Sequence, residues 1–274
     1  MEDPQLLEIL EFVAQQRGID FRDYRRNTLR RRAEARARAT GCADLAAYCA
    51  YLREARDEVD RLIEALVVPV TEFFRDERAF EQLAEHVLPR LLGRNPLLQA
   101  WVVGTATGEE AYTLAILLAE ASGRRDGAHV YVIASDVDDR SLEVARTGAY
   151  PRKATARVPP ELFDRYFRAE GSTVRVADSI RDRIRFARHD FVGLRLAPEE
   201  AVVASFDLVL CRNVLLYFDE SLRTKALSRL AAVVEPGGAL MIGPSESLPR
   251  GARPAFSDFP GIPSGCGIFI RRSN

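Results

Sequence analysis

Histidine and cysteine are scarce in this chain, and their scarcity removes whole classes of chemistry. There are three histidines and four cysteines in 274 residues, and Cys42, Cys49, Cys211 and Cys266 show no C-x-x-C spacing. A zinc centre needs several such ligands at close spacing, so no metal is expected. Thiols spaced this way suit a reducing compartment better than a disulfide scaffold. Long apolar runs are also missing. No stretch is long enough to span a bilayer, and residues 1–20 carry acids throughout, without the apolar core of a secretion signal. Net charge is nearly absent, at -1 from 39 basic and 40 acidic residues. No global field therefore draws the chain to nucleic acid or to a membrane. The expectation is a cytoplasmic protein with neither as a partner.

What is present is a core and an uneven distribution of charge. Hydrophobic residues make up 47% of the chain, enough for one large domain or for a small domain beside a medium one. Residues 4–17 predict an amphipathic helix with Leu6, Leu7, Ile9, Leu10, Phe12 and Val13 as its buried stripe, ended by Gly18. A second helix is expected from Asp23 to Ala39. It is basic: Arg22, Arg25, Arg26, Arg30, Arg31, Arg32, Arg36 and Arg38 are opposed only by Asp23 and Glu34. Helices over Leu45–Arg56 and Glu58–Val67 complete an all-helical domain at 1–67. Its cationic surface admits three readings: a solvated face, nucleic-acid binding, or docking to an acidic protein. Tyr24 is the only nearby aromatic and no nucleic-acid motif is present.

Pro69 ends the fourth helix and opens a linker at 68–78. Packing of this linker onto the next domain would explain the adjacent Phe73 and Phe74, and would leave Thr71 and Arg75 free to reach a site. From residue 79 onwards strands and helices alternate. Apolar strands are expected at 98–103, 130–134, 206–211 and 239–243, with a last strand at 267–271. Residues 150–190 break the pattern, and Val174–Val176 and Ile184–Phe186 alternate as short strands do. They are read as a small antiparallel β-insert at about 160–187. The whole predicts an α/β fold with a largely parallel, seven-stranded sheet.

The chemistry starts at Trp101–Tyr112. An apolar strand breaks at Gly104 and Gly108 and enters a helix, which is the opening unit of a doubly wound nucleotide fold. The spacing is not G-x-G-x-x-G, and Glu109-Glu110 would repel a pyrophosphate at that helix start. A cationic ligand is welcome there, which points to S-adenosylmethionine. A plain strand–turn–helix whose acids suit the helix dipole is the simpler alternative. Asp136, at the end of the second strand, suits ribose hydroxyls, although Asp136 or Asp138 could equally cap the next helix.

Four motifs now come in a fixed order: Thr71-x-Phe-Phe-Arg75-Asp76, Gly104-x-x-Thr-Gly-Glu109-Glu110-x-Tyr112, Ala134-Ser-Asp136, and Cys211-Arg212-Asn213-Val-Leu-x-Tyr217-Phe-Asp219. With Pro236-Gly237-Gly238 and Ser245-Glu246, they make the chain resemble the CheR-type chemotaxis receptor methyltransferases over nearly its whole length. The resemblance implies a Rossmann-like S-adenosylmethionine-dependent methyltransferase domain at 79–274 beside the all-α N-terminal domain. It implies transfer of a methyl group to glutamate side chains, with S-adenosylhomocysteine as product. Thr71, Arg75, Gly104, Glu109, Asp136, Asp190, Phe191, Arg212 and Asn213 would hold the cofactor. Arg75 and Tyr217 would be catalytic, nearest the methyl group and the incoming carboxylate.

The resemblance also assigns Arg31, Arg32 and Arg36 to docking on the acidic cytoplasmic helical bundle of a chemoreceptor. The turn Phe167–Val174 looks short for the relatives that tether to a receptor's C-terminal pentapeptide, so no tether is expected. Several positions depart from the family pattern. Pro69 stands in place of an Asn, Thr105 of a small residue or Cys, Ala111 of a Pro, Pro244 of a His, and Asp190-Phe191 of Asn-Leu. Because Pro69 removes a side-chain contact and a backbone donor, a non-catalytic adaptor that binds S-adenosylmethionine or a receptor is the rival reading.

Overall fold

The computed structural model describes residues 3–67, 71–95, 97–123, 129–201, 204–249 and 254–273. The expected Pro69 break and the polar loop Arg124–Gly127 lie outside them. The chain opens with α1 (Pro4–Arg17), capped by the Asp3 carboxylate and closed by Gly18 at φ 72°. It continues with α2 (Arg26–Ala39), α3 (Leu45–Glu54) and α4 (Arg56–Val67). Leu6, Ile9, Leu10 and Val13 of α1 meet Leu29, Ala33, Tyr48, Leu52, Leu62 and Ile63 in a core separate from the rest.

Helix α2 starts three residues later than the charge pattern predicts. Residues 23–25 are used in a different way: Tyr24 forms an isolated antiparallel bridge with Phe218. The Arg25 amide donates to the Tyr217 carbonyl at 2.8 Å, and the Asp219 amide to the Asp23 carbonyl at 3.1 Å. Those bonds compete for the backbone groups that a first helical turn would need. They join the all-helical domain to the second domain.

The second domain begins with α5 (Glu77–Gln82), a π turn at Leu83–Val87 and α6 (Leu88–Arg94). The wide turn precedes Pro89, which lacks an amide proton and would crowd the carbonyl four residues back in a regular helix. Then follow β1 (Leu97–Val103), α7 (Glu109–Ser122), β2 (His129–Asp136), α8 (Asp139–Thr147) and β3 (Ala149–Pro151). Next come α9 (Pro160–Tyr166), β4 (Phe167–Glu170), β5 (Thr173–Val176), α10 (Asp178–Arg181) and β6 (Ile184–Arg188). The chain ends through β7 (Phe206–Cys211), α11 (Glu220–Val233), β8 (Val234–Ile242), β9 (Phe256–Asp258) and β10 (Ile268–Arg271).

Seven strands form the main sheet in the order β6-β2-β1-β7-β8-β10-β9. The first five are parallel, and β8-β10-β9 pair antiparallel. The small sheet is β3-β5-β4, antiparallel throughout. The insert is thus real, but it is displaced towards the N-terminus from the expected 160–187. Ile184–Phe186 does not belong to it: these residues run parallel to β2, with Ile184 opposite Val132. Their alternation arises because β6 is an edge strand: Ile184 is buried and Phe186 packs partly against the same core, while Arg185 between them is exposed. An edge strand with one wet side carries the same period-two signal as an antiparallel hairpin.

One core lies on each face of the main sheet. Phe73 and Phe74 are buried in the first of these, Phe73 against Tyr150 and Phe167 with ring centroids 5.0 and 5.2 Å away. Each buried phenylalanine contributes about 1.5–3 kcal/mol. The linker is therefore pinned to the small sheet, as its sequence predicts.

A candidate cofactor and catalytic cleft

Parallel strands that turn opposite ways leave a crevice at their carboxyl ends, and here it lies where β1 is flanked by β2 and β7. The cleft has an empty volume of about 1120 Å³ and is open to solvent. Gly104 follows β1, Asp136 ends β2, His189, Asp190 and Phe191 follow β6, and Arg212 and Asn213 follow β7. Thr71 and Arg75 of the linker, Tyr217 and Phe218 after β7, and Tyr24 of the helical domain complete the wall. The structure thus brings Thr71, Arg75, Gly104, Asp136, Asp190, Phe191, Arg212, Asn213 and Tyr217 together, as expected.

Glu109 is the exception. Its side chain is not part of the cleft lining; it accepts from Thr107 Oγ1 at 2.7 Å and is buried, which raises its pKa. Its neighbour Glu110 lines the cleft instead. Successive residues of a helix point about 100° apart, so only one of the two acids can face a given site, and the sequence does not mark which. Glu110 accepts from Arg212 Nη1 at 2.6 Å, while Arg212 Nη2 reaches Asp76 at 2.5 Å. The Arg212 side chain is fully buried and lies over the Phe80 ring at 5.0 Å. A guanidinium so enclosed needs carboxylates beside it. Burial pushes the Glu110 pKa up, and Arg212 opposes that shift.

Asp136 is held from both sides. It accepts from the Ala106 amide at 2.8 Å and from the Asp138 amide at 3.0 Å. Burial raises its pKa, and these amides pull it back towards the ionised form. Asp138, in contrast, is the helix cap: it accepts from the amides of Arg140 and Ser141. Glu246 buttresses the far wall, accepting from the amides of Gly243, Asn213 and Leu216 at 2.7, 2.8 and 3.2 Å. Among the described residues, four non-glycines have left-handed φ: Phe74, Asp76, Ala106 and Asn213. All four lie in the cleft wall or flank Arg75. Such backbone costs on the order of 1–3 kcal/mol each and persists where its surroundings over-determine it, commonly at functional sites.

The docking arginines separate. Arg31 is exposed on α2. Arg32 donates to the Leu66 carbonyl and stacks its guanidinium over Tyr217, 5.1 Å from the ring centre. Arg36 pairs with the buried Glu58, which also accepts from the Tyr48 hydroxyl at 2.9 Å. Arg36, itself partly exposed, is thus engaged within the helical domain by an ion pair, unlike the free surface cation that docking was expected to use. Glu58 comes from α4, 22 positions along the chain, so nothing local to α2 marks Arg36 as already paired.

Sequence reasoning passed over Tyr24, Glu110 and His189. His189 is 8% exposed, with its Nε2 unpaired and its ring 5.7 Å from Trp101. Burial pushes its pKa down to about 4, so it is uncharged near neutrality. Its position directly before Asp190 was the available signal. Among the described residues no group of His, Cys, Asp and Glu could hold a metal, and no helix is long and apolar enough to cross a membrane.

A carboxylate at the end of β2, a glycine turn after β1 and acids in place of phosphate-binding groups define a Rossmann-like methyltransferase that uses S-adenosylmethionine. The residues fit that cofactor. The Gly104 backbone faces the cleft at φ 67°, where an added Cβ would come within 2.5 Å of Val214, and Asp136, Asp190 and Glu110 offer negative charge to a sulfonium. Residues 69–261 match the family described as "CheR methyltransferase, SAM binding domain", and residues 4–67 its all-alpha domain. The chain belongs to the CheR methyltransferase family and is an enzyme that takes S-adenosylmethionine as cofactor. It is 33% identical over 254 residues to a chemotaxis protein methyltransferase of Salmonella typhimurium, covering 90% of this chain and 85% of that protein. Identity to its Escherichia coli counterpart is 31%, covering 90% and 86%. The chain also matches a 104.1 kDa uncharacterized protein of Rhodobacter capsulatus at 34% identity, spanning 25% of its length.

Proposed function

We propose that this enzyme methylates glutamate side chains on the acidic cytoplasmic helical bundle of chemoreceptors, in the cytoplasm, giving glutamate methyl esters. The observation that carries the reading is that Arg75 and Tyr217, from segments far apart in the chain, line the same cleft as Asp136. When bound, S-adenosylmethionine supplies an electrophilic methyl group on a positively charged sulfur.

The nucleophile is a carboxylate with an ordinary pKa of about 4.3, ionised near neutral pH, so no general base is needed. What remains is orientation and exclusion of water. Arg75 holds the incoming carboxylate and Tyr217 hydrogen-bonds to it, in a cleft that Phe218, Val103 and Leu216 keep apolar. Attack cancels two opposite charges, so a water-poor, preorganised cleft favours it over bulk solvent. Thr71, Gly104, Asp136, Asp190, Phe191, Arg212 and Asn213 hold the cofactor, with Asp136 at its ribose. Glu110 takes the part first assigned to Glu109, and Arg212 acts by fixing Glu110 and Asp76 beside Arg75.

The receptor docks on α2 through Arg31, while Arg32 orients Tyr217 by stacking on it. The β4–β5 turn is only Gly171-Ser172, which supports action without a C-terminal pentapeptide tether. Methyl transfer to a receptor cytoplasmic domain, intact and with that pentapeptide removed, tests the reading. Equal transfer to both is expected. Transfer to neither sinks the function, and transfer to the intact receptor alone sinks the tether-free part.

A further inference from the structure

Pro244 stands where the family pattern has a His, and the chain turns sharply there. Gly243, Pro244, Ser245 and Glu246 form a β-turn after β8, closed by the Glu246 amide on the Gly243 carbonyl at 2.9 Å. Proline is favoured at the second position of such a turn because its ring fixes φ in advance. The turn folds the Glu246 side chain back towards the segments that follow β7 and β8. Its Oε2 accepts from the amides of Gly243 at 2.7 Å and Asn213 at 2.8 Å, and its Oε1 from the amide of Leu216 at 3.2 Å. A Cβ on residue 243 would come within 2.8 Å of Oε2, so glycine is what leaves room for the carboxylate.

These amides need a partner from outside their own element. Leu216 is the middle residue of a single 3-10 turn, Leu215–Tyr217. The turn's own bonds run from the Tyr217 amide to Val214 and from the Phe218 amide to Leu215. They leave the Leu216 amide over, and a turn this short holds its shape poorly alone. Asn213 sits at φ 60°, a left-handed conformation that persists where its surroundings hold it. Glu246 thus grips the Asn213–Tyr217 segment at two points, while its own side chain is not part of the cleft lining.

We infer that Glu246 is a positioning residue for methyl transfer: held by the Pro244 turn, it fixes the segment that carries Tyr217 into the cleft. This role rests on the reading of Tyr217 given above and adds a residue that touches neither cofactor nor substrate. The geometry calls for a carboxylate, because both of its oxygens accept and neither donates. A glutamine has one acceptor oxygen. Serving Gly243 and Asn213 with it turns the NH2 towards the Leu216 amide, donor against donor. Misplacing an orienting group by about an ångström costs as much as a hundredfold in rate.

The test is Glu246→Gln, alone and in the Tyr217→Phe background. Rates of glutamate ester formation on a receptor cytoplasmic domain are measured at saturating S-adenosylmethionine, with calorimetric titration of S-adenosylhomocysteine beside each. Alone, Glu246→Gln is expected to lower kcat about tenfold and to leave S-adenosylhomocysteine affinity within about twofold of the parent. In the Tyr217→Phe background the same change should cost less than about twofold, because its effect passes through the hydroxyl already removed. A merely structural role would cost both backgrounds alike. If Glu246→Gln does not fold, Glu246→Asp, which keeps the carboxylate and withdraws it by one methylene, takes its place. Parent-like kcat in the folded variant, an equal loss in both backgrounds, or failure of both substitutions to fold overturns the inference and leaves the proposed function standing. A parent that forms no glutamate ester overturns the function and the inference with it.

Discussion

His189 shows how a single side chain in this cleft ties stability to pH. Its folded pKa of about 4 lies below the ordinary 6.5, chiefly because it is buried, with Arg229 and Arg195 adding to the shift. Between those values the unfolded chain binds a proton that the folded chain refuses, so stability is full above about pH 6.5 and falls as pH drops towards 4. At pH 5 the loss from this residue alone is roughly 2 kcal/mol. Urea unfolding at pH 7 and pH 5 should show that loss in the parent and not in His189→Phe; equal slopes in the two would contradict it. The burial that produces the effect was invisible in the sequence, where His189 is one polar residue between Arg188 and Asp190. Asp136 was legible because an acid ending the second strand of such a fold has a standard place. Choosing Glu110 over Glu109 needed the helix's rotation about its axis, which depends on packing of Ala111, Leu114 and Leu118 against the sheet.

Helix α2 is the element whose sequence said most and specified least. Its arginines announced a basic surface, and the structure divides them among an exposed Arg31, a stacking Arg32 and a buried-pair Arg36. The division predicts different failures. Arg36→Ala leaves Glu58 buried and uncompensated, at a cost of about 3 kcal/mol, and should lower the melting temperature. Arg31→Glu should leave melting unchanged and reduce receptor methylation at low salt, with the difference fading as salt screens the contact. Reversed results, with a stable Arg36→Ala and an unfolded Arg31→Glu, would refute the division. The strand at Ile184–Arg188 teaches the same lesson. Its alternation marks a short strand, but a period of two does not say which sheet a strand joins. Pairing with β2 is a long-range fact. The strand–glycine–helix unit at 97–122, by contrast, was nearly complete in the sequence, because turn residues and periodicity act locally.

At the scale of the whole molecule, three cores and a latch make one site. The helical domain folds around its own apolar cluster, the second domain has a core on each face of its sheet, and residues 23–25 join 217–219 across the boundary. Phe73 and Phe74 are buried in the core beside the linker, and Arg75, the next residue, lines the cleft. The domain division and the fold class were readable from Pro69, from the shift from helical to alternating pattern and from motif order. The latch was not, because it consists of backbone hydrogen bonds between segments that carry no shared signature. We propose that Arg75 and Tyr217 perform methyl transfer on a glutamate carboxylate within this shared cleft. It is tested most directly by mass spectrometry of glutamate methyl esters on a receptor cytoplasmic domain, with the parent, Arg75→Ala and Tyr217→Phe each saturated with S-adenosylmethionine. Esters are expected with the parent, and a loss of about a hundredfold or more in rate with each variant, both still binding S-adenosylhomocysteine. Near-parent rates in both variants, or methyl groups on residues other than glutamate, would contradict it.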